Sequence, residues 1–152
     1  MAGRDKPTAD GGKLEKRLKE LRKLQVRIGF QRGKGKSGGA DIADVAMWNE
    51  LGTENMPARP FMRQSVEKNR DRIKAACAQA LKDVLLGKTT AEAALRKLGA
   101  MQKALVQNEI KSGGFAPNAE PTKKKKGSDK PLVDTGRMRQ SVSVEIAEKG
   151  GG

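Results

Sequence analysis

The sequence contains no histidine and no tyrosine, and among its 152 residues it has one cysteine, Cys77, and four aromatic side chains. A single cysteine cannot form a disulfide within the chain, and without histidine no Cys/His zinc site can be built. Ser-His-Asp and Cys-His catalysis are excluded for the same reason. No apolar run approaches the roughly 18–20 residues that a membrane span needs, and residues 1–13 lack the apolar core of a secretory signal. We therefore expect synthesis in a reducing cytoplasm.

The chain carries a large excess of basic residues. Lysine and arginine number 32 against 18 acidic residues, which gives a net charge of +14. More than half of this excess lies in residues 1–39, and a second concentration is the lysine run at 123–126, whereas residues 40–112 are nearly balanced. The imbalance suggests a polyanionic partner or neighbour, but net charge informs association rather than fold.

Apolar periodicity predicts helices separated from two strands. Leucines recur at helical spacing over residues 14–21, and apolar residues then alternate with polar ones over 25–30, as in a half-buried strand. A second alternating strand is predicted over 142–146. The N-terminal helix has a mainly basic outer face, which either grips a phosphate backbone or is simply solvated.

The central region is predicted to hold three more helices. A short one opens at Asp41 and ends before Gly52, with Trp48 and Leu51 extending its buried side. A long helix is expected over 61–86, with Cys77 as an inert thiol on its apolar stripe. A further helix runs to about residue 111 and begins at a capping box formed by Thr89 and Glu92.

These elements predict an α+β fold, in which a small antiparallel sheet is packed by an N-terminal helix and two longer central helices, with long basic loops. We expect a single domain over 13–147. Residues 1–12 are predicted to form a flexible arm and 148–152 a flexible tail. Residues 113–131 form a long loop rich in lysine, proline and glycine.

Two basic loops are candidates for contact with DNA or an acidic partner. Residues 31–39 are glycine-rich, do not match the spacing of a phosphate-binding P-loop and are predicted to be a mobile connector. The alternative is that such charges are merely solvated. The candidate side chains in the two loops are Arg32, Lys34, Lys36, Lys123, Lys124, Lys125 and Lys126.

The sequence contains few of the residue types on which catalysis depends. Asp41 and Asp44 are spaced to share one face of a helix and could bind Mg²⁺. Acidic residues in a first helical turn are explained more simply by their interaction with the helix dipole. We expect no enzyme, no cofactor and no metal site.

Two separated motifs carry a resemblance to a known family. Residues 44–63 contain the end of a helix in Glu50-Leu51-Gly52-Thr53, followed by Pro57-Ala58-Arg59-Pro60-Phe61 at the start of the next helix. Residues 131–141 contain Asp134-Thr135-Gly136 ahead of the last strand. In this order the motifs resemble those of the tail-completion, or head-to-tail joining, family of long-tailed bacteriophages, and the resemblance spans about residues 14–146.

The resemblance implies a structural virion protein of the phage neck, made in the host cytoplasm. Such a protein completes the tail and joins it to the head-side connector as part of a ring, usually of six copies, around the DNA channel. Its expected partners are its own copies, the tail terminator, the connector and, without sequence specificity, the packaged DNA. A free basic nucleic-acid-binding protein is the alternative function.

The first motif supplies the partner-interface candidates. Prolines stiffen an exposed loop and lower the entropy lost on docking. Arg59, between two prolines, could make bidentate contacts with a neighbour's carboxylate, or it could hold its own loop through Glu50 or Asp134. The candidates are Glu50, Thr53, Pro57, Arg59, Pro60 and Phe61.

Overall fold

A computed structural model describes residues 9–112 and 136–150 of the chain. Its helices and strands confirm the predicted α+β fold class. The predicted arm up to residue 8, the loop at 113–131 with its lysine run, Asp134, and the end of the tail at 151–152 lie outside the described residues. In chain order the elements are α1 Ala9–Lys23, β1 Leu24–Gly29, β2 Lys36–Ser37, β3 Ala40–Asp41, α2 Ile42–Leu51, α3 Phe61–Glu67, α4 Arg70–Leu85, α5 Ala91–Ser112, α6 Gly136–Gln140 and β4 Ser143–Glu148.

The two predicted strands are confirmed, and they pair with each other. β1 and β4 run antiparallel, with Leu24 opposite Glu148 and Gly29 opposite Ser143. The backbone N–H of Lys149 also donates to the carbonyl of Lys23, at 2.7 Å. The sheet therefore joins an early and a late segment of the described chain.

Helix α5 lies against this sheet at Gly99. The glycine is buried, and a Cβ at this position would overlap the side chains of Val26 and Val144. The missing side chain is what lets the helix and the two strands approach closely. Further along α5, a core joins α2, α3, α5 and α6, and its buried members are Ile42, Ala46, Phe61, Val106, Ile110, Met138 and Val142.

Helix α2 begins and ends where its sequence predicts. The carboxylate of Asp41 accepts a hydrogen bond from the Ala43 N–H at 2.9 Å, which is an N-cap. Gly52 follows the last turn with φ of 78°, and its N–H donates to the Trp48 carbonyl at 2.8 Å. The predicted burial of Trp48 and Leu51 is wrong, because the inner face of α2 is taken by other residues of the helix.

The single long helix predicted over 61–86 is divided into α3 and α4. In an uninterrupted helix the Ser65 carbonyl would accept from the backbone N–H of Asn69. It accepts instead from the Asn69 side-chain amide at 2.8 Å, while the Asn69 N–H donates to Val66 at 3.2 Å. Asparagine competes with helical hydrogen bonding in this way, so the helix is interrupted here.

Three further expectations are corrected. Helix α1 begins at Ala9, four residues before the predicted start of the domain. The N-cap of α5 is Thr90, whose hydroxyl accepts from Ala93 N–H at 3.1 Å, and Glu92 instead pairs with Arg96. Cys77 is exposed rather than a core thiol.

The glycine-rich segment at 31–39 is also more ordered than its composition predicts. β2 and β3 form a two-residue antiparallel hairpin, with Lys36 opposite Asp41. The Asp41 carboxylate accepts from the Gly33 N–H at 2.8 Å, and the Ile42 N–H donates to the Gly35 carbonyl. Because Asp41 caps α2 as well, one side chain ties the hairpin to the helix.

Candidate interaction surface

The loop between α2 and α3, residues 52–60, is held by backbone hydrogen bonds at both of its ends. Thr53 and Met56 bond to each other through N–H and carbonyl groups, at 2.8 and 3.2 Å. The Arg59 N–H donates to the Asn49 carbonyl of α2 at 2.5 Å. A Cβ on Gly52 would lie 2.8 Å from the Ala58 nitrogen. The close approach of the loop to its own start therefore requires glycine at position 52, and a backbone hydrogen bond holds the end of the loop to α2.

The half-buried side chain of Glu50 in α2 forms hydrogen bonds with the start of α3. One carboxylate oxygen accepts from the Met62 N–H at 2.9 Å, and the other accepts from the Arg63 N–H at 3.1 Å. These N–H groups belong to the first turn of α3, where backbone donors lack helical acceptors and a negative charge is favourable. Glu50 therefore acts as the missing cap of α3, a local role that its candidacy as a partner contact did not anticipate.

Two of the predicted interface residues are in the interior. Phe61 is fully buried, and its ring meets that of Phe30 edge to face, with centroids 5.9 Å apart. Because Phe61 is buried in the core at the start of α3, its side chain is not available as a surface contact. Arg59 is only 6% exposed. This burial favours the alternative in which Arg59 holds its own loop.

The other candidates in this motif remain on the outside. Thr53 and Pro57 are exposed, and Pro60 is half-buried ahead of α3. The motif is thus divided between an inner part that fixes the loop and an outer part that a partner can reach.

The outer face of α2 carries an apolar surface that the sequence analysis did not find. Met47, Trp48 and Leu51 are 46%, 42% and 71% exposed and lie within one turn of each other. We call these three residues the apolar α2 surface. The inner face of the same helix holds Ile42 and Asn49, both buried.

The signal for this surface is present in the helical spacing. Starting from Ile42, positions i+4 and i+7 are Ala46 and Asn49, so one face of the helix is complete without the tryptophan. The polar Asn49 is the residue that conceals the pattern. It is accepted in the interior because its side-chain amide donates to the Val45 carbonyl at 2.8 Å.

A shallow depression adjoins the apolar α2 surface on the side of Met47. It has a volume of about 220 Å³ and is lined by Phe30, Met62 and the α2 residues Ala43 and Glu50, among others. Methionines fill irregular spaces and adapt their shape to a partner. The depression therefore extends the apolar face from α2 towards α3.

The candidate cations of the hairpin are partly engaged by acids. Arg32 pairs with both carboxylate oxygens of Asp44, at 2.6 and 3.2 Å. Lys34 and Lys36 are exposed. Backbone N–H groups of Gly33 and Ala43, with Arg32 and Lys36 nearby, hold the pKa of Asp41 below its ordinary value. Asp41 and Asp44 thus serve a cap and an ion pair, which accounts for both acids without Mg²⁺.

Within residues 9–112 and 136–150, no cluster of three or more His, Cys, Asp or Glu side chains has the arrangement of a metal site. None of the helices in these ranges is long and apolar enough to cross a membrane. No family model matches the chain, and no curated protein or solved structure is significantly similar to it.

Proposed function

We propose that this protein is a structural subunit of a bacteriophage neck, which completes the tail and joins it to the head-side connector. In this proposal it works without catalysis, as one copy of a homo-oligomeric ring, expected to be a hexamer, around the DNA channel. Its other partners are the tail terminator and connector rings, and its location is the virion. The ordered pair of motifs supports this family, and the apolar α2 surface supports a role in assembly.

The apolar α2 surface is the observation that carries the proposal. Three large apolar side chains within about one turn of one helix form the centre that a protein interface requires, and tryptophan is enriched among interface hot spots. Leu51 is the most exposed large apolar residue in the described part of the chain. Thr53, two residues after Leu51, and Pro57 of the following loop are exposed as well.

The loop behind this surface supports the same role. A contact surface binds more tightly when its backbone is already ordered, because less entropy is lost on docking. The cap by Glu50 and the bond from Arg59 to Asn49 fix both ends of residues 52–60 before any partner arrives. In a ring, this surface of one copy meets a different surface of the next copy, as closed rings require.

The test is the oligomeric state of the full chain and of Leu51→Lys, measured by native mass spectrometry and light scattering. We expect a closed oligomer for the wild type and at least a 30-fold weaker self-association for Leu51→Lys, since a hot-spot residue contributes about 2 kcal/mol or more. Leu86→Lys is the matched control, because Leu86 is also exposed, at 57%, but follows α4.

The control variant should assemble as the wild type does. A wild-type chain that stays monomeric at all concentrations, or equal effects of the two substitutions, would contradict the proposal. The alternative function, a free basic nucleic-acid-binding protein, predicts that monomers bind DNA tightly and that Leu51→Lys changes neither assembly nor binding.

A further inference from the structure

Helix α1 and the turn between α4 and α5, residues 86–90, carry six exposed cations. We call these cations the α1 basic surface: Lys13, Lys16, Lys19, Arg22, Lys23 and Lys88.

These cations have few acidic partners. Lys19 pairs with Glu15 at 3.4 Å, and both side chains are well exposed to solvent. The other five cations have no ion pair within the described part of the chain. In the segment at 31–39, by comparison, Arg32 is bound to Asp44. Most of the charge of the α1 basic surface is therefore available to an external anion.

The basic surface is also fixed in place. Arg17 of α1 is half-buried and donates from Nη1 to the Leu85 carbonyl at 3.2 Å, which ties α1 to the end of α4. Helix α1 packs on α4, α5 and β1. Between α1 and the turn lies a groove of about 430 Å³, lined on one side by Lys13 and Lys16 and on the other by Lys88. Glu20 also lines it.

The spacing on α1 suits a regular row of negative charges. Lys16, Lys19 and Lys23 follow at i, i+3 and i+7, so they share a face, and the rise of 1.5 Å per residue places the first and last about 10 Å apart. Duplex DNA carries a negative charge for about every 1.7 Å of its axis. Several phosphates therefore fall within the length of this row.

We infer that the α1 basic surface binds the phosphate backbone of duplex nucleic acid without reading its sequence. Lysine is depleted in protein interfaces, whereas nucleic-acid interfaces are strongly positive and polar. Residues 9–23 and 86–90 contain no aromatic residue, so the stacking by which proteins hold single strands is not available here. The inference rests on the proposed function in one respect, because it assigns α1 to the DNA side of the ring.

The test uses the full chain and a random-sequence DNA duplex, with binding followed by fluorescence anisotropy between about 50 and 200 mM salt. The variant is Lys16→Ala/Lys19→Ala/Lys23→Ala. The matched control, Lys74→Ala/Lys97→Ala/Lys111→Ala, removes the same charge from exposed positions of α4 and α5.

We expect the α1 variant to bind on the order of 10²-fold more weakly at 100 mM salt and to lower the salt slope by about 3, one for each phosphate contact. The control should stay within about threefold of the wild type. Equal weakening by both variants would mean that only total charge matters and would overturn the inference. Absence of wild-type binding at low salt, or tighter binding of single strands, would also overturn it.

Two further measurements keep the inference testable if a variant folds poorly. Acetylation of the wild-type chain, read by mass spectrometry, should be slowed by duplex at Lys16, Lys19 and Lys23 but not at Lys74 or Lys97. Poly-glutamate bound as tightly as duplex, with the same three lysines protected, would point to an acidic protein instead and overturn the inference.

The outcome is separable from that of the proposed function. Leu51→Lys should weaken self-association and leave duplex binding by the monomer intact, whereas the α1 triple variant should assemble normally. A protein that assembles but does not bind duplex would refute the inference alone.

Discussion

The apolar α2 surface and the α1 basic surface differ in the chemistry that each presents to solvent. The first is a cluster of three apolar side chains on a helix whose end is fastened by Glu50 and Arg59. The second is a set of cations on long, exposed side chains of α1 and of the turn between α4 and α5, where Arg17 ties α1 to the end of α4. An apolar surface requires a partner of matching shape, whereas a row of cations requires only charge. In the function proposed above, one molecule holds a specific neighbour and an unspecific polymer at once.

Salt concentration should separate the two surfaces most strongly. With six phosphate contacts, duplex binding should weaken by about 10³-fold between 50 and 200 mM salt, because each contact releases a counterion. Self-association through Met47, Trp48 and Leu51 should change little over the same range, since apolar burial is not screened. Anisotropy and light scattering on the same samples measure both. Parallel loss of assembly and binding would mean that one surface serves both purposes.

Adding one methyl group at Gly52 should destabilise the loop that follows the apolar α2 surface. Gly52→Ala combines a positive φ with a Cβ only 2.8 Å from the Ala58 nitrogen, so we expect a loss of about 2 kcal/mol in the free energy of unfolding. Urea denaturation measures this loss. Gly38→Ala is the control, because its φ is +60° but no heavy atom lies within 4 Å of the added Cβ.

The control should lose about 1 kcal/mol from strain alone. Gly52→Ala should also weaken self-association while leaving duplex binding unchanged under conditions in which the protein is folded. Equal stability losses in the two variants would show that residues 52–60 can move aside, and the surface would then not be preorganised.

The smallest expected effect is the pH dependence contributed by Asp41, which belongs to neither surface. Its pKa is lowered in the folded protein, first by the Gly33 N–H and then by that of Ala43. The resulting stability is fully present above about pH 4, the region of an unfolded aspartate, and is lost as the pH falls through the folded pKa. Asp41→Asn should flatten the stability curve below pH 4. Denaturation midpoints across this range provide the measurement.

Local signals in the sequence were sufficient for much of the fold. The cap at Asp41, the glycine after α2 and the alternation that became β1 and β4 each act over a few residues, and each was predicted correctly. The interruption at Asn69 was not predicted, because it depends on whether a side chain or a backbone donor reaches the Ser65 carbonyl. Thr90 rather than Thr89 became the cap of α5 for a similar reason, since either threonine suits the position.

The candidate site was harder to predict because it depends on which face of α2 points inwards. Apolar residues lie on both faces, and the polar Asn49 is inside, so composition favours the wrong orientation. Glu50 and Phe61 were predicted as interface residues because they belong to one motif, but the first caps α3 and the second fills the core. A motif identifies residues that act together without showing whether they act on a partner or on the fold itself.

The pairing of β1 with β4 has a consequence for how the chain is made. The Ser143 hydroxyl reaches the Gly29 carbonyl across a sequence separation of 114 residues, and the whole sheet is built from such distant contacts. Contacts of high sequence separation slow folding, because a long loop must close before they form. On the ribosome, β1 emerges well before β4, so the sheet-facing side of α5 around Gly99 stays uncovered until β4 has been made. A chain released before β4 is made would lack this sheet.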